Sequence, residues 1–280
     1  MTITAGVDVG ASGVQVCLME VENPTAPLRE VRSKVLALKT ERIRRRLPPA
    51  VAREVFELAL SEAGLMEGAI DYVASTGDGE AVEFRRGHFY GMTTHARGAL
   101  YLMPEARAVL DMGALHARAI SLDGRGKVLG YRMTSQCASG SGQFLENISR
   151  YLGITLAEVG QLSLQSDDPE VVSSICAVLA ETDVINMVSR GLKTENIIKG
   201  IHQSMAGRLV KLLGMIKAEG IVALTGGLSC DVGLVRAIEE SAASLSKMPL
   251  TIVTHPHAVY AGALGAALWG AYRHEKLLVK

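Results

Sequence analysis

Cysteine is scarce in this chain: four residues in 280, Cys17, Cys137, Cys176 and Cys230, all far apart. So thin a set excludes a disulfide framework and implies reduced thiols. Excess charge is also missing, with 29 Lys and Arg against 29 Asp and Glu. No net field therefore draws the chain to nucleic acid or to an anionic membrane surface. Long apolar runs are absent, and no window approaches a membrane-spanning length free of charge. The N-terminal "MTITAGVDVG" has neither a basic nor an apolar leader region before a strand-like pattern begins. The expected location is cytoplasmic.

What is present is enough apolar side chain, 48% against 21% charged, to bury one large core or two modest ones. A single basic run, "ERIRRRLPP" at Glu41, reads as a solvated helix face. The opening residues alternate and turn: "TAGVDVG", "ASG", "VQVCLMEV" and then "VRSKVLAL". From Ala106 the plan repeats as "ARAVLDMG", "AL", "HARAISLD", "GRG" and "KVLGYRMT". Each copy ends its first strand on an Asp and a Gly one residue apart, Asp8 with Gly10 and Asp111 with Gly113. Alone, Asp-x-Gly is hairpin punctuation. As a facing pair, such hairpins can grip a polyphosphate. Backbone N–H groups come from Gly10, Ala11, Ser12 and Gly13 in one and from Gly113 and Ala114 in the other, and each carboxylate can hold Mg2+ directly or through water.

Helical patterns follow: "PPAVAREVFELALSEAG" from Pro48, a segment begun by Gly142, and "TENIIKGIHQSMAGRLVKLLGMIKAEG" from Thr194. The last places Ile197, Ile198, Ile201, Met205, Leu209, Leu212 and Ile216 on one face, a core stripe. "IVALTGGLSCDVGLVRAI" reads strand, glycine turn, helix, and Gly226 and Gly227 would let a nucleotide lie close to backbone. "LTIVTHPHAVYAGALGAALWGAY" ends on a strand and a helix whose Ala261, Gly262, Gly265 and Ala266 suit close packing beside nucleotide. The expected lobes are residues 1–95 plus 256–280, and 96–255. His255 and His257, two apart in a strand, would point the same way, but no third metal ligand lies nearby in sequence. Asp78, in the glycine turn "STGDGEAV", is a candidate for nucleotide or interface contact.

Two cysteines each precede a helix, in "SQCASGSGQFLENISRYLG" and "SSICAVLAETDVIN". Phe144, Leu145, Ile148 and Leu152 stripe the first helix, and Ile175, Val178, Leu179, Ile185 and Val188 the second. A helix start favours a thiolate or any other anion, so Cys137 suits a nucleophile, a metal ligand or a bystander beside a phosphate loop. Cys17, alternating within a strand, and Cys230, just past the glycine turn, read as structural.

Two Asp-Gly hairpins followed by a Gly-Gly turn resemble the actin, Hsp70 and sugar-kinase superfold. The two cysteine segments, with "GIHQSMAGRLVKL" and "VALTGGL", resemble the ATPase family that activates 2-hydroxyacyl-CoA dehydratases and benzoyl-CoA reductase, and the resemblance covers nearly the whole chain. It implies an α/β, duplicated two-lobe ATPase with mixed sheets that binds ATP and Mg2+, with Asp8 and Asp111 positioning metal and phosphate. It also implies a 4Fe-4S cluster at a two-fold interface, ligated by Cys137 and Cys176 and by two thiolates of a homologous ATPase subunit. Hydrolysis would drive a low-potential electron from a ferredoxin-type donor into acyl-CoA-binding reductase subunits, the reaction served being benzoyl-CoA dearomatisation. The family commonly reads Asp-Ile-Gly-Gly-Gln-Asp where this chain reads "DMGALHA". Ala114, Leu115 and His116 there favour a specialised subunit beside a homologous partner, and His116 is a candidate to order water. The alternatives are a homodimeric dehydratase activator, a small-molecule kinase, for which no general-base Asp stands out, and a non-hydrolysing ATP-binding scaffold.

Overall fold

The structure is a computed structural model that describes residues 1–134, 141–173, 177–245 and 250–279. In chain order its elements are β1 (Thr2–Val9), β2 (Gly13–Val21), β3 (Ser33–Arg42), α1 (Pro48–Ala63), β4 (Tyr72–Gly77), β5 (Gly87–His88), α2 (Gly91–Leu102), β6 (Ala108–Met112), β7 (Ala117–Leu122) and β8 (Val128–Met133). After these come α3 (Gly142–Tyr151), α4 (Leu156–Leu164), α5 (Ala177–Ser189), α6 (Thr194–Met215), β9 (Ile221–Thr225), α7 (Val232–Leu245), β10 (Thr251–Val253) and α8 (Ala261–Leu278). The chain divides into two units, Met1–Ala106 with Leu122–Val128 and His255–Lys280, and Arg107–Ser121 with Leu129–Thr254.

The first unit is built on a sheet of order β3-β2-β1-β4-β5. β1 runs antiparallel to β2 and parallel to β4. Its apolar residues are buried on both faces, as a sheet covered on both sides requires. Val51, Ala52, Val55, Phe56, Ala59 and Leu60 of α1 close one face. The other face carries Cys17, Met19 and Val21 against Ala263, Leu264, Ala267 and Leu268 of α8. This second contact is backbone-close: a Cβ on Gly6 would lie 1.9 Å from the Ala263 carbonyl oxygen, and one on Gly265 1.8 Å from that of Thr94. The small residues of α8 thus answer a steric demand of β1 and α2.

The basic run is not a helix face. Arg42 ends β3, Arg44 takes a left-handed φ of 53° in the following turn, and the Arg46 guanidinium bonds Glu54 at 2.7 Å. The helix begins only at Pro48, whose ring suits a first turn and no interior position.

The second unit repeats the wiring. Its sheet has the order β10-β9-β6-β7-β8, with β6 antiparallel to β7 and parallel to β9. Ile197, Ile198, Ile201, Met205, Leu209 and Leu212 of α6 are buried with Phe144, Leu145 and Ile148 of α3. In α5 the expected stripe faces outward: Val178 is 70% exposed, and Leu179, Ile185 and Val188 are exposed too, while Ala180, Val184 and Met187 pack inward. Ile175 lies outside the described residues. An apolar helix offers periodic matches on more than one face, so periodicity alone does not choose the buried one. Among the described residues no helix is long and apolar enough to cross a membrane.

Candidate functional site

In the first unit, the Gly10 N–H donates to the Gly13 carbonyl at 2.9 Å and closes the β1–β2 turn over exposed Ala11 and Ser12. Asp8, one residue from the end of β1, stands opposite Gln15 on β2 and Thr76 on β4. The residue is 6% exposed, and its Oδ2 lies 3.4 Å from Nε2 of the buried His95 on α2. Two glycines make room for it. Gly77, at φ +67°, would bring a Cβ within 2.8 Å of Asp8 Oδ1, and Gly262 one within 2.0 Å of Oδ2. The buried Thr76 hydroxyl donates to the Phe89 carbonyl at 2.8 Å and lies 2.9 Å from that of Thr94.

The second unit presents the same arrangement. The Gly113 N–H donates to the His116 carbonyl at 2.9 Å, and Asp111, 3% exposed, stands opposite Arg118 on β7 and Thr225 on β9. Gly226, at φ +85°, would bring a Cβ within 2.7 Å of Asp111 Oδ1, as Gly77 does at Asp8. Asp111 instead accepts from a guanidinium: Nε and Nη2 of Arg118 reach its Oδ2 at 2.9 and 2.6 Å. The turn is also tied to α3. Gly142 N–H donates to the Gly113 carbonyl at 3.1 Å and Gln143 N–H to that of Ala114 at 2.9 Å. Nδ1 of His116 is buried without a hydrogen-bond partner. Gly227, the second glycine of the turn, has open space where a Cβ would be.

Past this glycine turn, Asp231 caps α7, accepting from the N–H groups of Gly233 and Leu234 at 3.0 Å each. Oδ2 of Asp231 is 3.5 Å from His202 Nε2, and His202 Nδ1 is 2.9 Å from Ser163 Oγ. Burial pushes the Asp231 carboxyl up, but the imidazole and the two N–H groups outweigh it and hold the pKa below the ordinary value. This Ser-His-Asp set is composed like a hydrolase triad, yet Ser163 and His202 are enclosed, so it ties α4, α6 and α7 together beneath the turn.

Cys137 and Cys176 lie outside the described residues. The helices that follow them open at Gly142 and Ala177. Cys17 is buried, which pushes its thiol far up, and Cys230 is exposed. His255 and His257 sit past the end of β10, in a turn and not in a strand, with the His257 N–H bonded to His255 Nδ1 at 3.0 Å. Pro256 between them has no N–H for a ladder. Among the described residues no group of three or more His, Cys, Asp and Glu could hold a metal ion. Asp78 is exposed just after Gly77, its N–H donating to the Val9 carbonyl at 2.8 Å.

Each unit holds a buried carboxylate beside a left-handed glycine at the base of a tight turn, and such parts have general affinities: carboxylate oxygens for a hard cation, turn N–H groups for phosphate. The strand pattern that the two units share is that of the actin-like ATPase fold. Residues 5–270 match the BadF/BadG/BcrA/BcrD ATPase family, to which the chain belongs. It is 60% identical to a benzoyl-CoA reductase subunit of Thauera aromatica, an alignment covering 99% of this chain and 96% of that protein. It is 35% identical to the activator of lactoyl-CoA dehydratase of Anaerotignum propionicum, over 80% of this chain and 85% of that protein. In structure it resembles the activator of 2-hydroxyisocaproyl-CoA dehydratase from Clostridium difficile, solved with bound ADPNP. The TM-score is 0.88 at 27% identity, covering 99% of this chain and 97% of that one.

Proposed function

We propose that the chain is the electron-activating ATPase subunit of a benzoyl-CoA reductase, working beside a homologous ATPase subunit in the cytoplasm and fed by a ferredoxin-type donor. The observation that carries this reading is 60% identity to the Thauera aromatica benzoyl-CoA reductase subunit over 99% of the chain. Asp8 and Asp111 position MgATP with the N–H groups of the Gly10–Gly13 and Gly113–Ala114 turns, and Gly226 and Gly227 leave room for the nucleoside. Cys137 and Cys176 each give a thiolate, and the partner's pair completes the four that a 4Fe-4S cluster takes. The cluster, when bound, supplies the low-potential electron.

The protein's own part is mechanical. A nucleotide that shifts the Gly113–Ala114 turn also shifts α3, because the Gly142 and Gln143 N–H groups are bonded to that turn. α3 begins five residues after Cys137, so the pull is delivered next to a proposed ligand. The likeness to the two dehydratase activators favours a second reading, a homodimeric activator of a 2-hydroxyacyl-CoA dehydratase.

Anaerobic purification with and without a co-expressed homologous ATPase subunit separates the two. Iron and a reduced-cluster EPR signal found only in the co-expressed complex support the heteromeric reductase subunit. A loaded cluster in the chain purified alone supports the homodimer, and no cluster in either overturns both.

A further inference from the structure

The two hairpins are equivalent in backbone and unequal in charge. The antiparallel register that sets Gln15 opposite Asp8 in the first sets Arg118 opposite Asp111 in the second. Gln15 turns its amide to the Thr40 hydroxyl at 3.1 Å. Arg118 is the only Lys or Arg within residues 5–18 and 108–122, the two hairpins together. A polyphosphate brought to Asp111 would meet a buried negative charge, and removing either member of such a pair leaves the other uncompensated.

We propose that Arg118 is a phosphate-binding residue and that Asp111 is chiefly a positioning residue that holds its guanidinium; the inference rests on the nucleotide reading above. A guanidinium is a planar fork of five N–H donors, able to serve a carboxylate on one edge and a phosphate oxygen on another. Its anchor is buried while the Arg118 side chain is 26% exposed, so solvent reaches part of that side chain. Asp8, which faces a histidine and no guanidinium, takes the magnesium-facing role.

The test is the dissociation constant of ATP for the full chain, measured in Mg2+ and in EDTA, for wild type, R118K, R118Q, D111N/R118Q and D8N. R118Q is expected to weaken ATP binding about tenfold or more in both media, the worth of one charge-assisted contact. D8N should weaken it only in Mg2+. The double variant separates contact from mere neutralisation: a direct contact leaves D111N/R118Q as weak as R118Q. Recovery of wild-type affinity in the double variant overturns the proposal, as does an R118Q within about twofold of wild type in both media. If R118Q loses its cooperative thermal transition, R118K decides, because a point charge cannot replace the fork. Its affinity should fall severalfold, and an unchanged affinity overturns the proposal. Wild type that binds no ATP removes the nucleotide reading itself.

Discussion

Asp8 and Asp111 hold the same place in two copies of one strand pattern, yet Asp8 faces a single ring nitrogen of His95 at 3.4 Å while two guanidinium nitrogens hold Asp111. The parts that agree are backbone: an antiparallel neighbour, a parallel neighbour bearing Thr then Gly, and a left-handed glycine against the carboxylate. The parts that differ are the side chains that meet each carboxylate, His95 from α2 outside the hairpin in one unit and Arg118 from β7 within the hairpin in the other. Duplication thus preserves the turn and its glycine, and divergence acts on the side chain that faces each carboxylate.

The largest expected effect comes from breaking the histidine-paired member. Asp8→Ala should lower ATP turnover of the assembled complex on the order of 100-fold, the scale of losing one electrostatic contact to the transferring phosphoryl group. Unchanged turnover together with unchanged MgATP affinity would remove the hairpin reading. The next effect tests the shared backbone. Gly77→Ala and Gly226→Ala should each cost about 1–3 kcal/mol in denaturant unfolding, because both positions combine positive φ with an Asp oxygen in the way of a Cβ. Gly227→Ala, with open space at its Cβ, should stay within about 0.5 kcal/mol. Unequal costs at Gly77 and Gly226 would mean that the two turns are not equivalent.

The smallest effect lies in the acid limb of stability. The Asp231 carboxyl is held below its ordinary value in the folded state, so its contribution is present above the unfolded pKa and lost as pH falls through the folded one. Asp231→Asn should therefore flatten the acid side of the stability profile and leave the neutral side parallel to wild type. A variant as steep in acid as wild type would assign that slope to other carboxyls.

Local signals were legible and long-range pairings were not. Asp-x-Gly after alternating residues is complete within a few positions, and the α6 stripe repeats over many turns, so both could be read directly. Arg118 lay within reach of the same reading: a turn closed between Gly113 and His116 sets residue 118 opposite residue 111 once the register is counted. "VASTGDG" and "VALTGGL" were a second repeat, carrying the two left-handed glycines, that showed only when β4 and β9 stood beside Asp8 and Asp111. His95 and Gly262 meet Asp8 through helix packing, which no local window contains. The outward face of α5 could not be told from its inward one because both are apolar. The ligand role of Cys137 and Cys176 came from family resemblance, since a thiol at a helix start suits several chemistries.

The most direct test of the whole reading is the iron content of the anaerobically isolated Cys137→Ser protein with its homologous partner, with MgATP affinity measured on the same preparation. The expected result is no assembled oxygen-sensitive cluster, no reduced-cluster EPR signal and MgATP binding largely intact, because the phosphate hairpins do not contain that cysteine. A fully loaded cluster, or MgATP binding lost together with the iron, would contradict it and return "CASGSGQ" to the role of a phosphate loop.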